Sequence, residues 1–173
     1  MGRELQSPDP PTGCVPSGRL WTLVPATASA IAVTRRGLTD WLGELNWPHP
    51  RSEDIVLAVY EALANVVVHA YPRQPGAATV GEAELFAMEI TEANRRCLRA
   101  VVTDYGCWRP GAVEQCCQGW GLAMMAACMD SVRIDPSPRG TTVIMTSVPV
   151  GIPVHRRPHT SPPSWFTSII VNR

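Results

Sequence analysis

The alternation of apolar and polar positions along the chain predicts a series of short strands and amphipathic helices. Residues 19–25, Arg-Leu-Trp-Thr-Leu-Val-Pro, alternate with the strand period and stop at Pro25. Residues 28–45 place Ile31, Leu38, Trp41, Leu42 and Leu45 at helical spacing, and Pro48 and Pro50 break the helix beyond them. Ser52 suits the N-cap of the next helix. Glu53 and Asp54 fall in its first turn, where the helix dipole favours acids. That helix runs to Tyr71 and ends at Pro72, and the prolines and glycines of residues 72–81 make a loop. Strand-like runs come next, at 83–91 and 97–103. The polar turn Glu-Ala-Asn-Arg-Arg between them leaves their pairing register open. Residues 104–119 show no period, and 122–129 read as a short apolar helix. Residues 131–135 and 141–148 read as strands joined through Pro-Ser-Pro-Arg-Gly.

Strands that succeed one another through tight turns imply antiparallel pairing, and the helices must cover the sheet. The expected class is α/β (α+β): a two-layer α/β sandwich whose mixed, mostly antiparallel sheet is covered by helices on one face. Both ends read as tails. Residues 1–17 are rich in proline, and residues 149–173 carry prolines with basic residues before a final apolar Trp-Phe-Thr-Ser-Ile-Ile-Val-Asn-Arg. The domain is expected over 18–148.

Composition narrows the classes. Lys plus Arg equals Asp plus Glu at 15 each, which offers no cationic surface for a nucleic-acid backbone. No stretch is apolar for long enough to span a membrane, and residues 1–13 lack the apolar core of a signal peptide. A cytoplasmic protein without direct nucleic-acid or membrane contact is the expectation. The cysteines, including Cys116 and Cys117, contain no C-x-x-C pair and match no zinc-finger spacing.

Chemistry concentrates on the helix over residues 54–71. Its interior is apolar except for Tyr60, Glu61, Asn65 and His69, and Glu61, Asn65 and His69 recur every four residues with Asp54 on the same side. A solvated face carries lysine and arginine more often than asparagine, a poor helix former. A carboxylate and a carboxamide one turn apart both offer the oxygen ligands that magnesium prefers. The plainer alternatives are a wet helix face for the ribbon and a carbonyl cap for His69. Downstream, Asp104 ends a strand two residues before Gly106, placed to accept from an exocyclic amine; the same pair also suits an ordinary turn. Gly119 and Gly121 precede the apolar helix, where unpaired backbone N–H groups suit phosphate or simply open a helix. Gly140 precedes Thr141, whose hydroxyl either lines a ligand site or serves a strand.

In this order, E-x-x-x-N on a helix, then D-x-G, then G-x-G-L, then G-T before a last strand, the motifs resemble the GHKL (Bergerat-fold) ATPases. "EALANVVVHAY", "DYGCWRP", "GWGLAMMAACMD" and "RGTTVIM" look like the anti-sigma regulatory factors, the RsbW-like serine protein kinases, over about residues 20–148. The resemblance implies ATP with Mg²⁺ as cofactors. It implies Asn65 as the metal ligand, Glu61 as general base, and Asp104 with Gly106 at the adenine amine. Backbone N–H groups of Gly119, Gly121 and Leu122 would face the phosphates, with Thr141 beside Asp104 and His69 lining the pocket. It further implies a serine/threonine kinase that phosphorylates an anti-anti-sigma (STAS-like) partner, sequesters a sigma factor, and forms a homodimer. Two departures stand out: the lid between Asp104 and Gly119 is short and carries Cys116 and Cys117, and residues 28–45 hold no histidine, against a sensor histidine kinase. A nucleotide-dependent binding module without kinase turnover, and an interaction domain with a vestigial pocket, are the alternatives.

Overall fold

The computed structural model describes residues 15–71, 81–106 and 120–153. The expectations for Gly119, the lid with Cys116 and Cys117, the 72–80 loop and most of both tails lie outside these residues. The elements run β1 (Val15–Pro25), α1 (Ala28–Glu44), α2 (Arg51–Asn65), a π-helical turn (Val66–Ala70), β2 (Glu82–Glu92), β3 (Arg95–Asp104), α3 (Trp120–Cys128), β4 (Ser131–Ser137), β5 (Gly140–Thr146) and β6 (Val150–Gly151). The strands form one sheet in the order β1-β2-β3-β5-β4, with β6 paired to the start of β3. Every pairing is antiparallel, so the expected mixed character is absent among the described strands.

Period-two alternation sets the two faces of the sheet. Leu20, Thr22 and Val24 of β1, Ala83, Leu85 and Ala87 of β2, and Leu98, Ala100 and Val102 of β3 are buried toward the helices. On the opposite face the register lines up Trp21, Phe86, Val101 and Ile144 across β1, β2, β3 and β5. The helices close the core from one side. Ile31, Leu38, Trp41 and Leu42 of α1 and Ile55, Val56, Val59, Ala62 and Leu63 of α2 are buried. Each buried Val, Leu or Ile side chain here contributes about 1.5–3 kcal/mol of transfer free energy.

Helix ends obey local chemistry. Thr27 caps α1, its Oγ1 accepting from the Ala30 N–H at 3.2 Å. Asn46, at φ 52°, turns the chain out of that helix, and the Trp47 N–H returns to the Leu42 carbonyl at 2.9 Å. Ser52 is not the N-cap of α2. The helix begins at Arg51 after Pro50, with no side-chain cap. The Pro48 and Pro50 carbonyls accept from the N–H groups of Ser52, Glu53 and Asp54 at 2.9–3.1 Å, and so satisfy donors a serine cap would have served. Glu53 and Asp54 do occupy the first turn.

The predicted helix to Tyr71 is α-helical only to Asn65, and the five residues after it widen into a π turn. The open register of the β2–β3 hairpin is resolved as Glu92 opposite Arg95, with Ala93 and Asn94 both at positive φ in a two-residue turn. Val150 and Gly151, in the stretch read as tail, pair with Arg96 and Arg95.

Candidate nucleotide site

Helix α3 lies along α2. A Cβ built on Gly121 would stand 3.1 Å from Glu61 Oε2 and 3.8 Å from Asn65 Oδ1. At the other end of α3, burial and then the negative charges of Asp54 and Glu61 push the Cys128 thiol up from its usual pKa. The two helices therefore run antiparallel, and Glu61 and Asn65 face a neighbouring helix. The polar ribbon of α2 is not a wet face: Asp54, Glu61 and Asn65 are all half-buried. Asp54 also pairs with Arg51 at 3.0 Å. Gly121 supplies the space in which the Glu61 carboxylate sits beside the first turn of α3, where free N–H groups and the dipole favour anions. Leu122, next along, packs partly buried against the core.

A second cluster forms where β3 ends. Asp104 is 7% exposed, and its Oδ1 accepts from the Gly106 N–H at 2.9 Å. Burial raises the Asp104 pKa above the ordinary 3.8, while hydrogen bonds from the Gly106 backbone and from the Thr141 backbone and hydroxyl pull it back. Thr141 is brought there by register: Thr142 pairs with Thr103, so the residue before it meets Asp104.

Close packing of main chain builds the walls of this cluster. A Cβ on Gly140, at φ 129°, would fall 1.9 Å from the Asp104 carbonyl oxygen. One on Gly106 would fall 2.1 Å from the carbonyl oxygen of Ala70, the last residue of the π turn. That contact joins the two clusters, because the π turn comes directly after Asn65. π turns inside α-helices are frequent at functional sites. His69 lies in the π turn and is exposed.

Sequence patterns did not single out Tyr71 and Gly81. The Tyr71 hydroxyl donates to the Glu82 carbonyl at 2.6 Å and accepts from the Tyr105 N–H at 3.1 Å. Its ring lies where a Cβ on Gly81 would be, 2.1 Å away. One phenol thus ties the start of β2 to the turn after Asp104. The available signal was an aromatic directly after His-Ala with a glycine ten residues on, a pattern with no periodicity to flag it.

The donor set suits a hard cation shared with phosphates. Glu61 and Asn65 present oxygens toward the same glycine, and among the described residues no group of three His, Cys, Asp or Glu side chains forms an all-protein metal cage. Magnesium is commonly held by one or two protein oxygens together with phosphate oxygens and water.

Residues 24–147 match the histidine kinase-like ATPase domain family. The chain is 29% identical over 130 residues to the serine-protein kinase RsbW of Bacillus subtilis, covering 71% of this chain and 81% of that protein. It is also similar to a solved structure of the RsbU and RsbW domains of Rv1364c from Mycobacterium tuberculosis, with a TM-score of 0.53 and 29% identity over 76% of this chain. It spans only 32% of that longer protein. With motif order, antiparallel sheet and paired clusters in place, this match shows that the chain belongs to the histidine kinase-like ATPase domain family and, within it, is similar to the RsbW-like proteins.

Proposed function

We propose that this chain binds ATP with Mg²⁺ and transfers the γ-phosphoryl group to a serine or threonine of a protein partner. The partner class is an anti-anti-sigma factor of the STAS-like kind. Phosphorylation then switches the chain between that partner and a sigma factor that it sequesters. The observation that carries the reading is the convergence of Glu61 and Asn65 on Gly121, one π turn away from the buried Asp104 and its half-buried partner Thr141.

Asn65 would hold the metal through its side-chain oxygen, and the ion would supply neutralisation of phosphate charge. Asp104 accepts from the adenine amine, and Thr141 orients it. The backbone N–H groups of Gly121 and Leu122 receive the phosphates. Glu61 takes the proton of the attacking hydroxyl as its oxygen bonds to phosphorus and the β–γ bridge oxygen leaves with ADP. Help of this kind contributes about 10²–10⁴ in rate. The similarity to RsbW supports kinase turnover, and a homodimer is the expected working form.

The test pairs two variants with the unmodified chain and a purified STAS-domain protein. Asn65→Ala abolishes both ATP·Mg²⁺ binding by titration calorimetry and label transfer. Glu61→Ala retains binding and loses transfer by at least about a hundredfold. Full-rate transfer by Glu61→Ala removes Glu61 as the base. Binding without transfer by the unmodified chain turns the reading into a nucleotide-sensing module. Sedimentation equilibrium reports the dimer.

A further inference from the structure

The β2–β3 ladder stops at the nucleotide site, and a phenol closes it. The last paired residues are Ala83 and Asp104, so Glu82 and Tyr105 are the next to face each other. The Tyr71 hydroxyl bridges their main-chain groups, donating to the Glu82 carbonyl at 2.6 Å and accepting from the Tyr105 N–H at 3.1 Å. That N–H belongs to the peptide unit whose carbonyl is Asp104's own. The carbonyl edge of the same unit is backed by Gly140, where a Cβ would fall 1.9 Å from the Asp104 oxygen. The peptide between Asp104 and Tyr105 is therefore gripped on both edges, by a phenol hydroxyl on one and by close-packed main chain on the other. A peptide unit is planar, so holding both edges fixes its rotation. With it is fixed the direction in which the Asp104 side chain leaves the strand.

The phenol is itself held. Its half-buried ring packs against the core and fills the space that a side chain at Gly81 would need, 2.1 Å from a Cβ there. Tyr71 also follows directly on the π turn, whose last carbonyl, that of Ala70, abuts Gly106. Consecutive residues thus hold consecutive links, Ala70 against Gly106 and Tyr71 against Tyr105. The Tyr105 side chain is engaged elsewhere, its hydroxyl donating to Glu84 Oε2 at 2.8 Å. Only a hydroxyl both donates and accepts at the Tyr71 position; phenylalanine would keep the ring and lose the bridge. We propose that Tyr71 is a positioning residue for base recognition. Acting through Asp104, it aims the carboxylate at the exocyclic amine and so sets the preference for nucleotides that carry one. The proposal rests on the reading of Asp104 as acceptor of the adenine amine. A site built to hydrogen-bond a polar group rejects the analogue that lacks it, because the buried partner is left unpaired. That rejection is as sharp as the acceptor's alignment, since hydrogen bonds weaken steeply with angle.

The test compares ATP with purine riboside triphosphate, the same nucleotide without the exocyclic amine. Each is titrated with Mg²⁺ into the full chain by calorimetry. The unmodified chain should favour ATP by about tenfold or more. In Tyr71→Phe that preference should shrink to within about threefold, because the loss falls on ATP. A merely structural role would weaken both nucleotides alike. A Tyr71→Phe chain that keeps the full preference, or that binds neither nucleotide, therefore overturns the proposal. A second reading comes from combining Tyr71→Phe with Asp104→Asn. The cost of losing the hydroxyl should all but vanish once Asp104 is replaced, and additive losses overturn the proposal as well. Failure of the unmodified chain to distinguish the two nucleotides is a different result: it removes Asp104 from the amine and takes the role of Tyr71 with it. Discrimination that survives in Tyr71→Phe removes the role of Tyr71 alone.

Discussion

Burial of Asp104 sets two forces against each other. Desolvation favours its neutral form, while the Gly106 N–H and the Thr141 donors favour the carboxylate. The raised pKa has a signed consequence for binding. An adenine amine needs the ionised acceptor, so ATP affinity should fall on acidification at a pH above the ordinary 3.8 of an aspartate, while the fold persists by circular dichroism. Asp104→Asn removes the buried charge but keeps an oxygen for Gly106. Its NH2 then faces the Thr141 N–H, so the variant should lose about 1–3 kcal/mol in urea denaturation at neutral pH and bind ATP about ten- to a hundredfold more weakly by calorimetry. Gly121 gives a second prediction. An added methyl would stand 3.1 Å from Glu61 Oε2, a contact relieved only by turning the carboxylate. Gly121→Ala should therefore depress transfer by roughly tenfold while changing ATP affinity less, because small misplacement of a reacting group is costly. Equal losses in both would place the effect at the phosphates instead. Motif order singled out Glu61, Asn65, Asp104 and Thr141 as candidates, and the fold brings them together as two clusters. That Gly106 and Gly140 pack against the backbone of Ala70 and Asp104 was not legible, because one residue's missing side chain says nothing about what will fill its place.

At the scale of elements, patterns with many repeats are legible in the sequence and local exceptions are not. The apolar stripe of α1 and the alternation of β2 and β3 are long enough to fix type and extent. The π turn has no such signal, because valines at 66–68 suit either helix, and its close approach to Gly106 at Ala70 is visible only in the fold. The start of α2 differs from the expected serine cap because proline carbonyls act as caps without any side-chain signature. The β2–β3 hairpin carries a testable strain. Ala93 sits at φ 43° ahead of Asn94 at φ 64°, where an L-residue with a Cβ is penalised by about 1–2 kcal/mol. Ala93→Gly should raise stability to urea by a few tenths to about 1 kcal/mol, net of glycine's added freedom in the unfolded chain. A loss of stability would mean that the turn relaxes out of this geometry in solution.

Across the whole molecule, the end of the sheet remote from the nucleotide site is fastened by a buried charge. Arg96 is 1% exposed. It donates to the Leu45 carbonyl at 2.7 Å, the Asn46 carbonyl at 2.5 Å and Glu89 Oε1 at 3.3 Å, with its guanidinium 4.9 Å from the Trp47 ring centroid. Sequence alone carries no hint of it, since β3 begins with two arginines and only the register decides which one turns inward. Arg96→Met should cost ~3–5 kcal/mol in chemical denaturation by leaving Glu89 buried without its guanidinium, and adding Glu89→Met should recover much of the loss.

This fastening gives α2 a fulcrum. The helix leaves the anchored Leu45–Trp47 corner at Arg51 and reaches Asn65 some 20 Å further on, at about 1.5 Å per residue. A small tilt at the fixed end becomes a larger displacement at the free end, where Asn65 and Glu61 stand against α3. Loosening the corner in one place should thus be felt as changed alignment at the opposite pole, with the sheet beneath left undisturbed.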